Sequence, residues 1–172
     1  MDGIYGILKL RIKRGIDLAI RDLLSSDPYV VVTMGSQKLK TKIIYKNTNP
    51  EWNEEFTLMV EDIKTPIRLN VFDKDTFTPD DEMGEAIIDI KPYVECWKME
   101  LESLPEGSVA ERIQPSENNY LADESPCIWR HGTIIQHMVL TLRNVECGEL
   151  ICELEWLNIL GSMRLLELQQ QL

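Results

Sequence analysis

The chain has 172 residues, 44% of them hydrophobic, with 29 acidic against 18 basic side chains and a net charge of −11. That length suits one domain with an ordinary core. The charge speaks against general nucleic-acid binding, which needs a basic surface, and no run of about 18 apolar residues exists to cross a membrane as a helix. The opening MDGIYGILKL lacks the charged, apolar and cleavage regions of a secretory leader, so a cytosolic chain is expected. Cys96, Cys127, Cys147 and Cys152 are then reduced and mostly core residues. A zinc site joining them to His131 and His137 lacks ligand spacing.

In chain order, residues 4–13 alternate Ile4, Leu8, Leu10 and Ile12 with charged Lys9, Arg11 and Lys13, which predicts a strand. Gly15 breaks or bends it. A loop follows at 21–26, and Asp27-Pro28-Tyr29 restarts extended chain, because the residue before proline avoids the helical region. Val30, Val31, Val32 and Met34 are strongly β-prone. Residues 37–45 predict a third strand. Period two there sets Lys38, Lys40 and Lys42 in a row on one face. Phe56, Leu58 and Val60 mark a fourth strand, 67–72 a fifth and 84–90 a sixth. In the fifth, Phe72 reads as a break in the apolar alternation.

Residues 92–101 predict a helix, with Val94, Trp97 and Leu101 at i, i+3 and i+7. The rest of 92–136 is polar and aperiodic, with eight acids against three bases, a net of −5. Loops this long are usually functional or disordered, and embedded Tyr120, Leu121, Ile128 and Trp129 favour order. Residues 138–142 and 149–156 supply strands seven and eight. The stretch 163–172 reads as a tail, with a short helix through Met163, Leu166 and Leu168. The expected fold is all-β: an eight-stranded antiparallel sandwich, residues 1–162, with a long insertion (about 92–136) between strands six and seven. Hairpin alternation puts that insertion at the end opposite the loops after strands one and five.

Those two loops carry the chemistry. Asp73, Asp75, Asp80 and Asp81 follow the fifth strand, and Asp22 and Asp27 follow the first. Two unit charges 4–6 Å apart repel by roughly 3–4 kcal/mol at an effective dielectric of about 20. If the fold joins the loops, Asp22, Asp27, Asp73, Asp75 and Asp81 converge, and oxygen-only ligands favour calcium. An EF-hand is excluded by register, since Thr78 falls where its glycine belongs and Gly84 where its glutamate belongs. Asp73-Lys74-Asp75-Thr76 after an apolar strand also suits a phosphatase with an aspartate nucleophile. That chemistry needs a parallel α/β core, and the hairpin spacing here excludes one. No residue set suggests turnover of a substrate. The lysine row suits anionic lipid, at about 1 kcal/mol per cation near the surface, and Leu23, Leu24 and Phe77 at loop tips suit shallow burial among headgroups.

Taken together, Arg21-Asp22, Ser26-Asp27-Pro28-Tyr29-Val30, Lys40-Thr41-Lys42, Asn49-Pro50-Glu51-Trp52-Asn53-Glu54, Phe72-Asp73-Lys74-Asp75 and Asp81-Glu82-Met83-Gly84 resemble a C2 domain. With the insertion and Leu142-Arg143-Asn144-Val145-Glu146-Cys147-Gly148-Glu149, the chain is similar to the plant C2-domain abscisic-acid-related proteins, also described as small C2-type GTPase activators. The resemblance implies calcium on Asp22, Asp27, Asp73, Asp75 and Asp81, with the backbone carbonyls of Arg21 and Lys74 and with Thr78 beside them. It implies phospholipid contact through Lys38, Lys40 and Lys42. It further implies recruitment of abscisic-acid receptors to the plasma membrane through the insertion, from pools in the cytoplasm and nucleus. The competing expectation is stimulation of a small GTPase by an arginine supplied in trans, with Arg112 and Arg130 as candidates. Glu117 stands where relatives often carry a basic residue, and Leu23-Leu24 where polar or basic ones are common.

Overall fold

The computed structural model describes residues 6–99 and 104–157. The expected tail at 163–172, the domain boundary at 162, Ile4 and Leu101 lie outside them. In chain order the elements are β1 (Gly6–Ile16), β2 (Pro28–Met34), β3 (Gln37–Lys40), β4 (Glu51–Val60), β5 (Ile67–Asp73), β6 (Asp81–Ile88), α1 (Lys91–Lys98), β7 (Val109–Ile113), β8 (Ser125–Arg130), β9 (Thr133–Thr141) and β10 (Glu149–Trp156). A six-stranded sheet, ordered β4-β1-β10-β9-β8-β7, faces a four-stranded sheet, ordered β3-β2-β5-β6. The pairings are antiparallel. The fold is the expected all-β antiparallel sandwich, with ten described strands instead of eight. The two additional strands are β7 and β8, both inside the insertion.

Period two explains the sandwich. Leu8, Leu10 and Ile12 of β1 are fully buried. They sit opposite Leu58, Phe56 and Glu54 on one side and Trp156, Leu154 and Cys152 on the other. Val30 and Val32 of β2 and Leu69 and Val71 of β5 line the facing sheet and are equally buried. Each such side chain contributes about 1.5–3 kcal/mol. Helix α1 plugs one end of this core. The Tyr93 hydroxyl donates to the Ile134 carbonyl at 2.7 Å and accepts from the Trp156 N–H at 2.5 Å, while Trp97 packs on Trp156 at 5.5 Å between ring centroids.

The outward face of β1 is laced with ion pairs. Arg11 Nε and Nη2 donate to Glu55 at 2.6 Å and Glu155 at 2.5 Å. Lys13 Nζ lies 2.6 Å from Glu153, with His137 Nδ1 at 3.6 Å. β1 reaches Ile16, past the break expected at Gly15, because a register shift between Ile12 and Arg14 absorbs the bend.

Three expectations change. The alternation of β5 is unbroken: Ile67, Leu69, Val71 and Asp73 face inward, and Phe72 faces outward, where it stacks on Tyr29 at 5.7 Å. β3 ends at Lys40, so Lys42 lies beyond the strand, and its N–H donates to Glu54 at 2.8 Å. The insertion does not stay at the far end. It leaves β6 there, and the β8–β9 turn at His131-Gly132 is there. Residues 120–122 then run back along β9, with the Thr141 N–H donating to Tyr120 O at 2.7 Å and the Ala122 N–H to Val139 O at 2.8 Å. Arg143, in the β9–β10 connection, lies 3.9 Å over the Tyr120 ring.

Candidate metal centre and the loops around it

β2 and β5 build the centre by ending side by side. Pro28 pairs with Asp73, which sets Asp27 at the start of one strand against Asp73 at the end of the other. Asp73 occupies the next inward position after Val71, and this register buries a carboxylate completely. Its Oδ1 accepts the Asp27 N–H at 2.7 Å. Its Oδ2 is buried and finds no donor. Burial first, and then Asp22, Asp75 and Asp27 around it, push Asp73 up to about 6 against the one lowering bond from Asp27. Asp75 is raised too, by desolvation and then by Asp81 and Asp22.

Carboxylate oxygens of Asp22, Asp27 and Asp73 lie within 4.8 Å of one another, and so do those of Asp73, Asp75 and Asp81. The five expected aspartates therefore form two triads that share Asp73. An orphaned oxygen at the shared corner fits a hard cation, because a buried acceptor without a partner costs about 1–3 kcal/mol or more.

Local bonds hold the loops. Ser26, fully buried, donates to Ala19 O at 2.7 Å and accepts the Arg21 N–H at 2.8 Å. Asp27 Oδ1 accepts the Lys46 N–H at 2.7 Å, and the Lys74 N–H donates to Asp27 O at 3.0 Å. Asp80 stands apart from the triads. It accepts from the Asp75 N–H at 2.9 Å and from the Tyr29 hydroxyl, so it braces the loop. Arg21 forms a forked pair with Glu146 of the β9–β10 connection, which drives Glu146 down to about 2. Gly84 makes room for that connection: its φ is +102° within a bulge of β6, and a Cβ there would meet Val145 at 2.5 Å.

Leu23 is 99%, Leu24 90% and Phe77 96% exposed. Ile20 and Tyr45 are also exposed in these loops, and no sequence pattern singles them out. The period-two signal that marks core residues stops at the strand ends, so it does not sort loop apolars. Thr78 is exposed beside Phe77. Lys38 and Lys40 are exposed on the edge strand and share the outer sheet face with Arg68, through the register of Lys38 to Thr33 and Thr33 to Arg68. The structure does not bring Arg112 and Arg130 together. Arg112 pairs in register with Pro126, four residues before Arg130, which puts them about 13 Å apart at 3.3 Å per residue. Arg112 lies 3.6 Å from Glu124. His131 and His137 meet Glu106 and Glu153, and among the described residues only the aspartate triads gather metal-ligating groups. No described helix is long and apolar enough to cross a membrane.

The C2-domain family model matches residues 6–106. Protein C2-DOMAIN ABA-RELATED 5 of Arabidopsis thaliana is 55% identical over 162 residues, 94% of this chain and 81% of that protein. GTPase activating protein 1 of Oryza sativa subsp. japonica is 52% identical over 159 residues, 92% and 96% of the two chains. A single C2 domain of plant extended synaptotagmin 1 superposes with a TM-score of 0.60 at 23% identity, covering 90% of this chain and 95% of that one. The tandem C2 domains of extended synaptotagmin 2, with calcium bound, give 0.61 at 23%, covering 91% of this chain and about half (47%) of that longer one. At such identity the likeness is one of fold. Sandwich, motifs and relatives agree: the chain is a C2 module and belongs to the family of C2-domain ABA-related proteins.

Proposed function

We propose that this module binds anionic phospholipid in a calcium-dependent way and brings a signalling partner, an abscisic-acid receptor, to the plasma membrane. The observation that carries the reading is the buried, unpartnered Oδ2 of Asp73 inside a ring of four further aspartates. Asp22, Asp27, Asp73, Asp75 and Asp81 would hold calcium. The carbonyls of Arg21 and Lys74 and the Thr78 hydroxyl are offered as further oxygens. Bound calcium supplies positive charge at a surface that otherwise repels phosphate. Five aspartates make the loop end about −5, and two or three divalent ions bring it to about −1 or +1. Leu23, Leu24 and Phe77, with Ile20 and Tyr45, then enter the headgroup layer, each contributing roughly 1.5–3 kcal/mol if fully buried. Lys38, Lys40 and Lys42 add contacts to phosphate. The insertion is the partner-facing part.

The name of the rice relative favours a second reading, stimulation of a small GTPase. Arg130, exposed, suits an arginine supplied in trans better than Arg112, which Glu124 holds. Single-turnover GTP hydrolysis with Arg112→Ala and Arg130→Ala tests it, and unchanged stimulation in both removes these arginines. The main reading is tested by vesicle sedimentation across calcium concentration, with and without anionic lipid. Binding should need both. Equal sedimentation in chelator would end the calcium-switch reading. Replacing Leu23, Leu24 and Phe77 with Ser should weaken vesicle affinity at least about tenfold, with solution calcium affinity intact.

A further inference from the structure

A cavity of about 230 Å³ opens on the flank of the sandwich, between the free edge of β6 and residues 116–121 of the insertion. Its floor is the inward face of β9, where Gln136, Met138 and Leu140 line it, and Leu121 and Ile88 form apolar walls. Two residues back along β6, the Glu85–Arg143 backbone bridge ties that strand to the β9–β10 connection, with N–H to O distances of 3.0 and 2.9 Å. Pro92 of α1 borders the cavity.

Two polar features of this slot lack partners. Glu85 turns both its N–H and its C=O away from β5, toward Arg143. In an antiparallel strand the main chain of every second residue points the same way, so the N–H and C=O of Ile87 also point out from the sheet edge, into the slot. Among the described residues nothing bonds to them. Gln136 is 3% exposed, and its Nε2 donates to Ser125 Oγ at 2.9 Å. Its Oε1 is buried without a donor. The insertion wall is firmly built, since Asn119 accepts from the Ser116 and Leu121 N–H groups at 3.1 and 3.2 Å and donates to Gln114 O at 3.0 Å.

One main-chain N–H and one main-chain carbonyl, with the donor-less Gln136 Oε1 just beneath the floor and apolar walls around space for a single residue, match one kind of guest. We propose that this slot takes a short extended peptide segment of the partner. The guest's main chain pairs with Ile87 as an added edge strand, and one aliphatic side chain fills the cavity between Met138, Leu140 and Leu121. Edge pairing of this kind draws affinity from main-chain bonds and selectivity from the side-chain pocket. The inference rests on the reading of the insertion as partner-facing and names the chemistry it recognises.

The test uses the full chain, labelled with ¹⁵N, and three probes: N-acetyl-leucine-N-methylamide, its glycine analogue, and 3-methyl-1-butanol. The leucine probe should shift the Ile87 amide and Gln136 side-chain signals saturably, with the glycine probe at least about tenfold weaker. Ile87→Pro deletes the outward N–H at an edge position that tolerates proline, and Gln136→Leu deletes the orphan acceptor. Each should weaken the leucine probe at least about fivefold. No saturable shift at Ile87 overturns the proposal, as does wild-type affinity in both variants. Equal binding of the alcohol also overturns it, because the slot would then be a plain apolar cavity. Calcium-dependent vesicle sedimentation of the same proteins, unchanged throughout, shows both variants folded and keeps the lipid reading separate from this one.

Discussion

Two clusters of titratable side chains in one sandwich are built in opposite ways. On the outer face of β1, Arg11, Lys13 and His137 surround Glu153, Glu55 and Glu155. At the loop end, the carboxylates of Asp22, Asp27, Asp73, Asp75 and Asp81 gather in two triads of like charge. Glu153, itself buried, is pulled down to about 2 by His137 and then Lys13, whereas Asp73, also buried, is pushed up to about 6 by desolvation and by its own kind. Burial alone therefore does not set the sign; partners do. The first cluster uses its charge to hold the sheet, and the second leaves like charges facing one another at the loop end.

The largest expected effect breaks the open cluster. Asp22→Ala with Asp27→Ala removes one triad's outer members and should lower calcium affinity at least about a hundredfold, roughly 3 kcal/mol, while the metal-free fold stays intact or gains stability. Isothermal titration reads the affinity and thermal unfolding the stability. Unchanged calcium affinity would sink the metal assignment.

Next comes the closed cluster. Glu153→Gln leaves Lys13 and Arg11 facing a neutral group at a site only 5% exposed. Removing one partner of a buried pair costs up to about 3–5 kcal/mol. Lys13 and Arg11 keep some contact with water, so a loss of about 2–3 kcal/mol is expected in urea unfolding. Calcium affinity should not move. A joint change in both would show that the clusters are coupled through β1.

The pH dependence sharpens the contrast without mutation. Asp73 has a folded value of about 6 against an ordinary 3.8, so between those values the folded state binds more protons than the unfolded one. Stability of the metal-free protein must then fall as pH rises from about 4 to 6, by about 1–3 kcal/mol. Glu153 has the reverse sign: its contribution is complete above the ordinary 4.5 and is lost as pH falls toward about 2. Metal-free stability should peak near about pH 4–5. If calcium binds at Asp73, it competes there with the proton, and saturating calcium should invert the upper slope. A flat metal-free profile from about pH 4.5 to 7, read by urea midpoints in chelator, would contradict the buried-carboxylate account.

Much of this was legible in the chain, for physical reasons that also mark where reading stopped. Asp22, Asp27, Asp73, Asp75 and Asp81 stand out because so much like charge in short loops either needs a cation or must splay into water. The burial of Asp73 was hidden because Phe72, apolar and outward, looked like the break in alternation that never occurs. β7 and β8 were hidden because an edge hairpin with the sequence VAERI and a Pro126 inside its second strand carries almost no apolar period. The return of residues 120–122 along β9 rests on main-chain bonds and one cation–π contact, and hairpin counting does not see either.

That return path bears on the smallest expected effect. Arg21 of the first loop is clasped by Glu146, two residues from Asn144, whose side chain donates to Glu85 at 2.8 Å. The next residue back, Arg143, reaches the insertion through Tyr120 and Asn119. The first loop and the returning stretch of the insertion are thus joined by a chain of surface contacts, and such contacts hold little energy in water. Glu146→Gln should leave the unfolding midpoint within scatter, since Glu146 is exposed. It should also free the Arg21 guanidinium, which already feels Asp81, to lean toward the aspartates and compete weakly with calcium. A rise of about twofold in calcium Kd is expected, with the Tyr120 and Asn119 amide signals undisturbed. If those insertion signals move together with the calcium affinity, the contact chain transmits between the loop end and the insertion, and the two clusters cannot be treated as independent of that flank.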